Sequence, residues 1–188
     1  MPKTVTEEIG KFTHHYPKIA TIVTASSQGR HGAMTAAWHS SISFRPPLYG
    51  VAVAPQRFTY KLIAESQEFG INFLSFEKAS LAATIGGTSG HRMNKFERLN
   101  IQTERPLKTA VPILKDAYAA YECKLIDSKT YGDHVWIVGE IVAVHFLSEA
   151  FTPGETLDLD KVKPLLYLGS DLYVTTDRET MHFVKRGI

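Results

Sequence analysis

The chain has 188 residues, 44% apolar and 21% charged, the composition of a globular protein long enough to bury one sizeable core. Its net charge of +2, with Lys and Arg scattered among Asp and Glu, argues against a nucleic-acid surface. One cysteine, Cys123, excludes an intrachain disulfide.

No secretory pattern opens the sequence and no window is apolar enough to span a bilayer, so a cytoplasmic protein without membrane contact is expected. The first dozen residues, with Glu7, Glu8 and Lys11, read as a short lead-in helix. Ile19–Ala25 is dense in β-branched residues and reads as a strand; Ser26–Gly32 is its turn, and Ala33–His39 returns as a second strand. Ser43–Ala54 reads as one strand region with Pro46 and Pro47 at its start. Thr59 is an N-cap for a short helix over Tyr60–Glu65. A strand over Glu68–Ser75 and a helix over Glu77–Ile85 follow, the helix ended by Gly86–Gly87.

Thr88–Pro112 reads as a long, partly irregular connection. Tyr118–Ile126 and His134–His145 are alternating strands joined by a turn over Ser128–Asp133, with Cys123 on the core face. The polar Leu147–Lys163 stretch, containing Pro153–Gly154, reads as a mobile excursion. Leu165–Gly169 and Leu172–Val174 are short final strands. This succession has no regular β-α alternation, which favours a mainly β barrel with a few short helices over a doubly wound sheet.

Several chemistries are absent from the pattern. There is no phosphate-cradling P-loop, no Rossmann glycine fingerprint, no CxxC and no G-x-S-x-G elbow. His14–His15 lacks the further ligands of a metal site, so no metal is expected.

What remains is distributed. Thr35, Ala36, Ala37, Trp38, His39 and Ser41 lie in a small and hydroxyl-rich stretch whose backbone can approach a flat ligand closely. Ala54, Pro55, Gln56, Arg57, Phe58 and Thr59 form a loop in which a cation and a hydroxyl at a helix start suit a phosphate. Ser89, His91 and Lys95 fall in a polar loop, and His134 follows Gly132–Asp133. A planar ring beside the first stretch and a phosphate beside the second suggest a flavin mononucleotide site.

The order and spacing of these stretches, together with Pro164–Gly169 around Tyr167, resemble the flavin reductase-like family across residues 15–175. The resemblance implies a single domain over 1–188 with the FMN-binding split β-barrel fold, paired as a homodimer. It implies that residues Thr35–Ser41 lie against the isoalloxazine, and that Arg57, Thr59 and Lys95 hold the phosphate. Ser89, His91 and Tyr167 complete the cofactor site, and His134 serves catalysis by positioning the nicotinamide. The implied activity is hydride transfer from NADH or NADPH to flavin, with a monooxygenase component as a possible recipient of reduced flavin. The alternative is an FMN-binding electron carrier or flavin-storage protein without efficient NAD(P)H turnover. Leu48–Ala54 and Ile137–Val144 are the apolar strands expected near a dimer interface.

Overall fold

A computed structural model describes residues 1–10, 12–185 and 187. In chain order it has β1 (Lys18–Ile19), β2 (Thr21–Ser27), β3 (Arg30–Ala36), β4 (His39–Phe44), β5 (Pro47–Val53), α1 (Phe58–Ser66), β6 (Glu68–Leu74) and α2 (Ala79–Gly87). Then come α3 (Lys95–Arg98), β7 (Thr103–Glu104), β8 (Ile113–Leu114), β9 (Ala117–Tyr131), β10 (His134–Phe146), β11 (Leu166–Gly169) and β12 (Leu172–Val174). Seven strands form one antiparallel sheet in the order β3-β2-β6-β9-β10-β5-β4. It curls until β3 comes into contact with β5, leaving a barrel split at the unpaired edges β3 and β4. A second sheet, β1-β11-β12, joins the two ends of the chain.

Both faces of the central strands are covered, so β2 and β6 are buried along most of their length, including the polar Thr21, Thr24 and Asn72. On one side Val23, Val51, Val53, Phe69, Ile71 and Ile137 pack with Leu62 and Ile63 of α1. On the other, Ile22, Ala33 and Leu74 pack with Ala82 and Ile85 of α2 and with Leu165. Each large side chain buried this way contributes about 2–5 kcal/mol against truncation to alanine.

Several sequence expectations need correction. The first dozen residues form no helix, and Lys11 lies outside the described residues. The expected single strand Ala33–His39 is broken at Ala37–Trp38, between β3 and β4. Pro46–Pro47 does not open a continuous strand; Arg45–Pro46 makes the turn of the β4–β5 hairpin. Arg57, not Thr59, is the N-cap of α1, and Thr59 lies buried inside its first turn. β9 and β10 extend to Tyr131 and from His134, so the turn shrinks to Gly132–Asp133, with Gly132 at a φ of 60° that glycine tolerates best. The 147–163 stretch is tied back by Asp158 N–H to the Ala150 carbonyl (2.9 Å), while Leu157 and Val162 pack on the core.

Cys123 is buried as expected, and burial pushes its thiol up to about 12. Alternation along β9 put Glu122 on the outer face, yet it is fully buried. The loop 105–111 folds over it. Its carboxylate accepts from the amides of Leu107 (2.6 Å), Lys108 (2.8 Å) and Thr109 (2.7 Å), the Thr109 hydroxyl (2.8 Å) and His145 Nε2 (2.6 Å). Burial alone would raise its pKa, but these hydrogen bonds outweigh burial and hold it at about 2.

Of the strands expected near an interface, β5 is mostly buried in the chain's own core, whereas Val144 on β10 stays 53% exposed. Val51, Val53 and Ile137 are buried, whereas Phe44 on edge strand β4 and Phe146 at the end of β10 stay 93% and 58% exposed.

Candidate functional site

β3, the start of α1 and the α2–α3 connection converge on a cavity of 230 Å³. Arg57 caps α1 through its backbone only, with no side-chain cap, so the first-turn amides and the helix dipole remain available to an anion. Across the cavity Lys95 is buried, and its ammonium donates to the carbonyls of Ala33 (2.8 Å) and Ile85 (2.6 Å). Burial and, beyond it, the charge of Arg57 lower its pKa to about 8. His91 lies on the same wall, its Nε2 3.2 Å from the Gln56 carbonyl and its ring edge-on to Phe58 at 5.2 Å. Gly90 allows this closure, since a Cβ there would sit 2.5 Å from the Phe58 ring. No Asp or Glu lines the cavity among the described residues. A buried ammonium such as that of Lys95 is costly without a carboxylate, and an anion relieves that cost.

Met34, Thr35 and Arg57 also line a second cavity of 240 Å³, so the two form one continuous cleft. Its lining includes Ala36, Ala37, Ala52 and Ala54, whose short side chains leave room for a flat group beside the backbone. The far end is aromatic. Trp38 Nε1 donates to the Tyr16 hydroxyl (2.7 Å), the Trp38 ring lies 4.9 Å from that of His134, and Tyr16 neighbours Tyr167 at 6.1 Å. His134 Nδ1 is 2.7 Å from Asp133 Oδ1, and this bond holds the Asp133 carboxyl below the usual range.

Of the residues singled out in the sequence, Thr35, Gln56, Arg57, Phe58, Thr59, Ser89, His91 and Lys95 meet around the cationic cavity. Ala36, Ala37, Trp38, Ala54, His134 and Tyr167 meet around the second. His39, Ser41 and Pro55 line neither. The break at Ala37–Trp38 turns the chain into β4, where Ser41 pairs with Tyr49. The His39 ring is held by the Tyr49 hydroxyl (2.6 Å) and the Ile19 carbonyl (2.9 Å), and burial lowers its pKa. Tyr16, Met34, Ala52, Ile85 and Gly86 were not anticipated. Only the Gly86–Gly87 pair carried a sequence signal, and it was taken as a helix stop.

The Flavin reductase like domain matches residues 13–176 of this chain. An FMN-binding protein from Thermus thermophilus, solved with bound 1-cyclohex-2-enone, superposes with a TM-score of 0.86 at 30% identity, covering 97% of this chain and 99% of that one. An uncharacterized protein of Aeropyrum pernix is 38% identical over 155 residues, 82% of this chain but 58% of that relative, so the match spans little more than half its length. The reductase component of an FADH(2)-dependent resorcinol hydroxylase from a Rhizobium strain is 25% identical over 154 residues, 81% of this chain and 83% of that relative. The chain belongs to the flavin reductase-like family, and its fold is the split β-barrel of that family.

Proposed function

We propose that this protein is an FMN-dependent flavin reductase that takes hydride from NADH or NADPH, works as a homodimer and can supply a monooxygenase component. The observation that carries this reading is the acid-free cavity of Arg57, His91 and Lys95 opening directly into the small-residue cleft. That donor set fits a phosphate monoester joined to a flat ring system. Arg57 and the α1 amides bind the phosphate, Lys95 adds positive charge, the His91 ring walls the same end, and Ala36, Ala37 and Ala54 flank the ring. Bound there, FMN supplies the capacity to accept a hydride from a reduced nicotinamide.

The chain's own contribution is placement. Trp38 and Tyr16, locked by their hydrogen bond, and Tyr167 wall the ring end of the cleft. His134, oriented by Asp133, positions the nicotinamide at the open side. No protein proton is required for the hydride step, so orientation at short range is the main catalytic demand. Titration with FMN and riboflavin, followed by anaerobic addition of NADH while absorbance is read at about 450 nm, tests this reading. FMN binding tighter than riboflavin and rapid bleaching are expected. FMN binding without bleaching would assign the protein to electron carriage instead, and equal affinity for both flavins would remove the phosphate site.

A further inference from the structure

The end of α2 and the β11–β12 turn line a further cavity of 240 Å³, which borders the cleft along Ala36, Ala37 and Tyr167. Gly86 and Thr35 line both this cavity and the cationic one and stand between them. A Cβ added to Gly86 would meet the Thr35 Cβ at 3.3 Å, so the partition is tight. Charge differs across it. Arg57 and Lys95 line one side, whereas on the other Asp171 is the only charged side chain of the lining among the described residues.

The hairpin turn places Asp171. Ser170 and Asp171 hold φ of 50° and 60°, the left-handed pair suited to a two-residue connection between β11 and β12. Its amide donates to the Tyr167 hydroxyl (3.4 Å), while its carboxylate has no hydrogen bond or ion pair among the described residues. α2 reaches the same lining with no basic residue in its last turn. Lys95 takes the Ile85 carbonyl, but the carbonyls of Gly86 and Gly87 accept no hydrogen bond among the described residues. Such a helix end carries negative partial charge and favours a cation.

Tyr167 and Tyr173 add two aromatic faces, with centroids 5.1 Å apart and planes 50° from parallel. Burial pushes the Tyr173 hydroxyl up, and Tyr167 and the Asp171 carboxylate push it further, so the negative field reaches the rings. The methyl groups of Ala20, Ala36, Ala37 and Ala83 make the rest of the lining apolar. A carboxylate and free carbonyls can only accept, so the matching ligand brings N–H donors, positive charge and an apolar stem.

We infer that this cavity binds a small aliphatic amine in its ammonium form, its N–H groups donated to Asp171 and the end of α2 and its stem against Tyr167 and Tyr173. The inference goes beyond the flavin reading and does not rest on it, because binding is measurable without flavin.

The full chain without added flavin is titrated at neutral pH with n-butylammonium and, separately, with 1-butanol, which has the same stem without the charge. Ligand-observed NMR reads both affinities. Saturable binding of the ammonium, about tenfold tighter than of the alcohol, is expected for one charge-assisted hydrogen bond. Asp171→Asn keeps the side-chain shape and tolerates the positive φ. It should lower n-butylammonium affinity about fivefold and leave that of 1-butanol unchanged. Tyr173→Leu, which keeps an apolar wall but removes a ring face, should lower ammonium affinity about threefold. Equal affinity for the two ligands, no saturable binding of the ammonium, or an unaltered preference in Asp171→Asn overturns the inference; the first two results do not depend on a variant folding.

Discussion

Arg57 and Lys95 line one cavity that no carboxylate enters among the described residues, and the charge of Arg57 adds to burial in making the Lys95 ammonium less basic. Lys95 is held by the backbone carbonyls of Ala33 and Ile85, while the exposed Arg57 opens α1 on the other side of the cavity. The clearest test is Arg57→Ala. It should weaken FMN by about 1.5–3 kcal/mol, the range for a charge-assisted hydrogen bond, and leave riboflavin affinity unchanged. Parallel fluorescence titrations measure both, and a loss below about 0.5 kcal/mol would make Arg57 a solvated strand end.

Lys95 predicts a pH dependence. Its pKa is about 8 in the folded protein against an ordinary 10.5, so between these values the unfolded chain binds the extra proton. Stability therefore rises as pH increases through that window, and the cost of burying the charge is fully present below about 8. The melting temperature of the flavin-free protein, measured from pH 7 to 10 relative to Lys95→Met, should show this rise only where the lysine is present. Saturating FMN should flatten it, because a bound phosphate favours the charged ammonium.

His134→Ala should raise KM for NAD(P)H or slow flavin reduction by about 10- to 100-fold while leaving FMN affinity nearly intact. Stopped-flow reduction at several nicotinamide concentrations resolves the two. A variant that sheds FMN with normal nicotinamide kinetics would move His134 into the flavin site.

Glu122 predicts the behaviour of the fold in acid. Its pKa is depressed to about 2, so its stabilisation is complete above the ordinary 4.5 and is lost as pH falls between these values. Glu122→Ala strands three amides and His145 and should cost about 3–5 kcal/mol in denaturant unfolding at neutral pH. A cost under about 1 kcal/mol would show that water replaces the carboxylate easily.

The proposed homodimer is expected to use edge strand β4 and the end of β10, where Phe44 and Phe146 are exposed. Phe44→Asp should shift sedimentation toward monomer at micromolar concentration; an unchanged coefficient would place the interface elsewhere.

The long strands were legible because apolar alternation and β-branching state them locally, as in β2, β6 and β10. The cleft was partly legible because Arg57 and Lys95 are chemically conspicuous even in loops. Tyr16 and Ala52 were not, since nothing in their neighbourhoods distinguishes a cleft wall from ordinary packing. Glu122 misled for a related reason: alternation assigns a face to a residue but cannot say that a distant loop covers that face. His39 and Ser41 were placed with the cleft because the small-residue pattern runs straight through Ala37–Trp38, where the chain turns.

The β1-β11-β12 sheet brings Tyr16 and Tyr167 together from opposite ends of the chain. That wall of the cleft is therefore held by a small sheet of its own, separate from the seven-stranded one, so loosening β1-β11-β12 opens the cleft while the barrel strands stay paired.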